Sequence, residues 1–173
     1  LFRSPIEAHT DLVKKLDYEC ELAVVLGRDA RDVPTGQTRD YIFGYTILND
    51  VSARDVQTAH KQWYFGKSLD GFTPIGPCIV TADAFADYPP RLGIRSFVNG
   101  EKRQDSNTAL QIFDIDHVIA ELSQGMTLKA GTIIATGTPA GVGMGMDPPQ
   151  FLKPGDVVRC EIEGIGTLTN PVK

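Results

Sequence analysis

The 173-residue chain has no apolar run approaching the ~18 residues of a membrane span, and no stretch reads as a signal peptide. It has no basic cluster, and its net charge of −5 argues against a nucleic-acid partner. Cysteine is scarce: Cys20, Cys78 and Cys160 are far apart, odd in number and without Cys-x-x-Cys spacing. That excludes a disulfide frame and a zinc site, and predicts buried thiols in a reducing compartment. The expected location is the cytoplasm, or the mitochondrial matrix in a eukaryote. Three scattered histidines and no Gly-x-Ser-x-Gly elbow argue against a Ser-His-Asp arrangement. Strands and helices do not alternate regularly, which argues against a doubly wound sheet or a (β/α)₈ barrel. Repeats, low-complexity tracts and linkers are also missing. The expectation is one domain, residues 1–173, large enough for a core of its own.

What is present is mostly strand. Residues 17–27 read as a Val- and Leu-rich strand ending at Gly27, and 41–48 as an aromatic, β-branched one. Asn99-Gly100 between two extended runs predicts a type I′ hairpin, with 105–108 as a polar turn. Asp114 to Gln124 is the clearest helix, with Asp114 as cap and Gly125 as stop. Residues 51–57 read as a second, short helix capped by Asp50 or Ser52. Lys67 sits in a turn-dense aromatic stretch and is a candidate for partial burial. Residues 1–16 read as an extended entry segment. Residues 132–136 open onto a glycine-rich loop, 137–145. No helix pattern follows that loop, so a phosphate cradle does not fit. Residues 157–162 and 166–169 close the chain as two strands. The fold expected is α+β and β-rich.

The chemistry lies in the acids. Along a strand Tyr18, Cys20 and Leu22 share one face, and Glu19 and Glu21 the other, with Cα atoms roughly 7 Å apart. Two adjacent carboxylates repel unless a cation lies between them or one is protonated. With Asp50 they form an all-oxygen set that suits Mg²⁺, Mn²⁺ or Ca²⁺ rather than zinc. About three positions of an octahedral Mg²⁺ then stay open, enough for a 2-keto acid and a water. Asp50, Arg54 and Gln57 fall at i, i+4 and i+7, on one helical face. Lys67 or Arg54 is placed to hold negative charge that develops on a substrate.

Six segments in order carry a resemblance: Asp17-Tyr18-Glu19-x-Glu21-Leu22, Asn49 through Gln57, Gly66-Lys67-Ser68, Gly76-Pro77, Asn99-Gly100-x-x-Arg103-Gln104, and Ala135 through Gly143. Together they resemble the fumarylacetoacetate hydrolase superfamily from Asp17 to Pro171. The resemblance implies a mixed β-roll or sandwich of that family's C-terminal type, a homodimer, and a Mg²⁺ or Mn²⁺ site. By position it implies Glu19, Glu21 and Asp50 as metal ligands, Lys67 as the catalytic cation, and Arg54, Gln57 and Thr138 lining the substrate pocket. Hydrolases of the family carry a His-x-x-Glu pair on a lid helix upstream. Residues 1–16 do not match it, so the chain is expected to lack that lid segment.

The leading expectation is metal-dependent hydrolysis of a C–C bond in acylpyruvate-type 2,4-diketo acids, through a pyruvate enolate. Oxaloacetate decarboxylation or 2-hydroxyhepta-2,4-diene-1,7-dioate isomerisation is the alternative, sharing the enolate without the hydrolytic water. A metal-stabilised ligand-binding domain is the non-enzyme alternative. The partner expected is a small 2-keto or 2,4-diketo acid, with neither nucleic acid nor membrane.

Overall fold

The computed structural model describes residues 4–59 and 61–173. Two four-stranded antiparallel sheets pack face to face. The first has the order β5-β3-β2-β8, built from β2 (Cys20–Leu26), β3 (Ile42–Asn49), β5 (Ile75–Thr81) and β8 (Ile133–Ala135). The second has the order β10-β9-β6-β7, from β6 (Gly93–Val98), β7 (Glu101–Asn107), β9 (Val157–Ile162) and β10 (Gly166–Pro171). The strand β2 packs on β6 and β9, and β3 on β9 and β10, so the core fills the space between the sheets. Cys20, Leu22 and Val24 meet Ile94, Cys160 and Ile162 there in one buried cluster. Among the described residues no helix is long and apolar enough to cross a membrane.

Local chemistry accounts for the elements read correctly. Asn99 and Gly100 take φ of 52° and 85°, the positive values a type I′ turn needs between β6 and β7. The helix α3 (Ile115–Leu122) starts where the Asp114 side chain accepts from the His117 amide at 2.8 Å. Gly125, at φ 68°, follows its end.

Elsewhere the structure differs from the linear reading. The strand expected over 17–27 is interrupted. A short strand β1 (Leu16–Asp17) pairs with β4 (Ser52–Ala53), and the chain resumes as β2 only at Cys20. Side chains break the ladder: Asp17 Oδ1 takes the Tyr18 amide and Asn49 Oδ1 takes the Glu19 amide. The helix expected at 51–57 begins only at Arg54, as α1 (Arg54–Ala59), because Ser52 and Ala53 are held in β4. The Arg54 amide is then satisfied by the Lys15 carbonyl, and neither Asp50 nor Ser52 caps the helix. The turn-dense stretch around Lys67 contains a third helix, α2 (Tyr64–Lys67). Residues 105–107 continue β7 instead of turning. Cys20 and Cys160 are buried as expected, but Cys78 is exposed. The entry segment is tied into the fold. Ile6 bridges Val172 in parallel and is fully buried, although its first three residues lie outside the described ones.

Candidate active site

Antiparallel pairing of β2 with β3 sets Cys20 opposite Asn49, which brings Glu19 beside Asp50. The Asp50 amide donates to the Glu19 carbonyl at 2.9 Å. Glu19 and Glu21 leave the strand on the same side, as the period-two alternation predicts. One carboxylate oxygen from each of Glu19, Glu21 and Asp50 lies within 4.8 Å of the others. A hard divalent ion, with bonds of about 2.0–2.6 Å, has ligand oxygens up to about 4–5 Å apart, so these three residues fit one ion. The donors are all oxygen, which favours Mg²⁺, Mn²⁺ or Ca²⁺.

Lys67 reaches the same place from the end of α2. Its Nζ donates to Glu19 Oε2 and to Asp50 Oδ2, at 2.7 Å each. Gly66 makes this approach possible: a Cβ there would stand 2.7 Å from the Gln57 nitrogen of α1. Arg54 arrives from α1 and is buried. Its Nε donates to Asp17 Oδ2 at 2.9 Å, its Nη2 lies 2.7 Å from Glu19 Oε1, and its Nη1 donates to Gln57 Oε1 at 3.1 Å. Arg54 and Gln57 are thus neighbours, as their spacing predicts. Asp50, however, pairs with Lys67, while Asp17 and Glu19 hold Arg54.

The glycine-rich loop closes one side. The Gly137 amide donates to Glu21 Oε2 at 2.8 Å. Thr138 Oγ1 donates to the Cys20 carbonyl at 2.9 Å and accepts from Gln104 Nε2 at 2.7 Å. Gly137 and Thr138 also line a cavity of about 460 Å³ that extends towards Leu22, Ile94 and Phe113. Gly137 thus touches both the cavity and Glu21, while none of the three acids lines the cavity.

Four carboxylates (Asp17, Glu19, Glu21 and Asp50) are answered by two cations, Arg54 and Lys67. Once Glu21 gives up its proton two negative charges are uncompensated, a second reason that a divalent cation fits. Burial pushes the Glu21 carboxyl up to about 8 against the pull of the Gly137 N–H, and the Asp50 and Glu19 charges add to the rise. Burial also raises Asp50, with Lys67 opposing it. Burial works against the Arg54 guanidinium, yet the carboxylates of Glu19 and Asp17 outweigh it and raise its pKa.

Of the seven residues singled out from the sequence, Glu19, Glu21, Asp50, Lys67 and Arg54 lie together, Gln57 joins them only through Arg54, and Thr138 bonds the Cys20 carbonyl beside them. Two more take part that sequence reasoning assigned no role. Asp17 is fully buried and ties Arg54 to the glycine-rich loop. Gln104 is also fully buried and binds the Cys20 amide, Thr138 and the Pro139 carbonyl. Both sit inside the quoted motifs, and a charged or amide side chain within a strand of an apolar sandwich is the signal that marks them.

A model of the fumarylacetoacetate (FAA) hydrolase C-terminal domain matches residues 3–173. The chain is 47% identical over 167 residues to the oxaloacetate tautomerase YisK of Bacillus subtilis, covering 96% of this chain and 55% of the relative. It therefore spans about half the length of the curated relatives it matches. Among solved structures it is similar to a fumarylacetoacetate hydrolase (EaFAH) from psychrophilic Exiguobacterium antarcticum, with TM-score 0.96 and 53% identity over 99% of this chain and 61% of that one. It is also similar to a 2-hydroxyhepta-2,4-diene-1,7-dioate isomerase from Mycobacterium marinum, with TM-score 0.86 and 44% identity over 98% and 63%.

Proposed function

The chain belongs to the fumarylacetoacetate hydrolase family, and on that premise we propose that residues 1–173 form a catalytic domain that isomerises a small 2-oxo dicarboxylic acid through its enol. The observation that carries this reading is the Lys67 ammonium, held 2.7 Å from both Glu19 and Asp50 beside the buried Glu21. The names of two relatives point the same way: one is an oxaloacetate tautomerase and the other a hydroxy-dienedioate isomerase.

Glu19, Glu21 and Asp50 would hold Mg²⁺, with Mn²⁺ or Ca²⁺ as substitutes. Bound there, such an ion would supply Lewis acidity beside the 2-oxo group. Keto–enol exchange moves a proton from the carbon next to the 2-oxo group to solvent water and returns one from water to the 2-oxo oxygen, and the chain's own residues stabilise the charge that develops between the two transfers. Lys67 donates a hydrogen bond to that oxygen as negative charge develops on it. Thr138 lines the substrate pocket with its hydroxyl proton given to the Cys20 carbonyl, so main-chain amides of the glycine-rich loop orient the substrate carboxylate. Arg54, backed by Gln57, offsets the charge of Asp17 and part of the charge of Glu19 from the rear. The active form is a homodimer in the cytoplasm.

Hydrolysis of a 2,4-diketo acid is the second reading, favoured by the 53% identity to a protein named a fumarylacetoacetate hydrolase. One assay series separates the two. The metal-free protein is tested on the oxaloacetate enol, on oxaloacetate decarboxylation and on acylpyruvate, before and after Mg²⁺ or Mn²⁺ is restored. The expected result is metal-restored enol–keto exchange that exceeds both bond-breaking reactions. Acylpyruvate cleavage as the fastest reaction would establish the hydrolase, and no metal-restored turnover of any kind would remove the enzyme reading.

A further inference from the structure

Asp17 is the most heavily bonded acid of the centre, yet it stands outside the ligand set. Its Oδ1 accepts from the amides of Tyr18 and Gly143, at 2.9 and 2.7 Å. Its Oδ2 accepts from the Met144 amide and from Arg54 Nε, at 2.9 Å each. The residue is fully buried, and Gly143 leaves it no slack: a Cβ on Gly143 would stand 2.8 Å from Asp17 Oδ1. Arg54 is shared between Asp17 and Glu19. Glu19 is in turn shared between Arg54 and Lys67.

A buried guanidinium cannot lose its proton to escape a missing partner. Its positive charge must be answered by a carboxylate within reach. With Asp17 in place, Nε is satisfied there and only Nη2 turns to Glu19. Without that charge, the whole guanidinium would fall to Glu19 and neutralise it.

We propose that Asp17 is a positioning residue of the acidic centre, which takes most of the Arg54 counter-charge, limits the guanidinium's hold on Glu19 to Nη2, and so leaves Glu19 able to ligate a divalent cation. The proposal rests on the metal-binding reading of Glu19, Glu21 and Asp50. The same carboxylate pins the far end of the glycine-rich loop at Gly143 and Met144, while Glu21 takes the near end at Gly137. Asp17 therefore acts on the centre in two ways, through charge and through the loop, and the test separates them.

Mn²⁺ affinity is measured by titration calorimetry on the metal-free wild type, Asp17→Asn, Arg54→Met and the double variant, with thermal unfolding as the check on fold. Asp17→Asn is expected to weaken Mn²⁺ binding by about 10–100-fold, the usual cost of losing a group that supports a metal ligand. Arg54→Met is expected to bind at least as tightly as wild type, because the competitor for Glu19 is gone. The double variant is expected to recover most of the loss. Wild-type affinity in Asp17→Asn overturns the proposal, as does a double variant as weak as Asp17→Asn, which would assign the effect to the loop. If Asp17→Asn does not fold, Arg54→Met decides alone: weaker binding than wild type overturns the proposal. A wild type that binds no Mn²⁺ brings down the metal reading itself, and the proposal with it.

Discussion

The Gly137 amide lies 2.8 Å from Glu21 Oε2 and counters the burial of that carboxyl. The donation lowers the Glu21 pKa, burial raises it more, and the balance comes to rest at about 8. In the metal-free protein Glu21 therefore keeps its proton at neutral pH.

A pH dependence with a definite sign follows. The folded carboxyl titrates near 8 and its ordinary value is 4.5, so the folded state holds a proton the unfolded chain has released. Stability from this group is fully present below pH 4.5 and is lost as pH rises through about 8. The melting temperature of metal-free protein should fall from pH ~5 to pH ~9. Mn²⁺ must displace that proton, so its affinity should rise over the same range. Glu21→Gln should flatten the stability profile. Thermal unfolding and Mn²⁺ titration at several pH values check both, and a metal-free melting temperature that rises with pH would contradict the assignment.

Lys67→Met should lower kcat by roughly 10²-fold or more if Lys67 stabilises transition-state charge. Its Nζ also bridges Glu19 and Asp50, so the variant loses a cation that competes with the metal. Metal affinity should hold or increase while the metal-free melting temperature falls. Steady-state kinetics on oxaloacetate and metal titration measure the two effects, and a change in KM alone would reduce Lys67 to an anchor.

Gln104→Leu removes three bonds in the core and strands the Cys20 amide and the Pro139 carbonyl. Each buried group left unpaired costs about 1–3 kcal/mol. Urea unfolding should show a loss of that order. Thr138 keeps its donation to the Cys20 carbonyl but loses the Gln104 donor that braces its oxygen, so KM should rise more than kcat falls. A variant with wild-type stability would mean that Gln104 is not the brace described above.

Gly141→Ala tests the loop. Gly141 has φ 108°, and a Cβ there would run into the Arg103 carbonyl oxygen. Its own carbonyl accepts from the Tyr18 hydroxyl at 2.8 Å. The substitution should destabilise the protein by about 1–3 kcal/mol or more from backbone strain alone, and reduce turnover through Gly137 and Thr138. Gly155, at φ 96° with nothing within 4 Å, is the control: alanine there should cost less and spare activity. Equal losses at both positions would show that backbone strain alone is at work.

Much of the molecule is legible along the chain because it rests on short-range rules. Asn99-Gly100 announces its turn because few residues accept positive φ twice in a row. Asp114 announces a helix start because its side chain needs only an amide three residues on. Glu19 and Glu21 share a side because strand side chains alternate, and this holds even though the ladder breaks at Tyr18 and Glu19. Six ordered motifs were enough to indicate the family. The tertiary structure decided who pairs with whom. Asp17 meets the Gly143 amide across 126 positions and Arg54 across 37. Lys67 settles between Glu19 and Asp50 only because Gly66 lets α2 close on α1. Linear spacing fixes the face on which a charge leaves its own element. Which opposite charge it reaches, and how much water is removed around both, depends on the packing of two sheets and two short helices. The raised pKa of Glu21 and the burial of Arg54 are products of that packing.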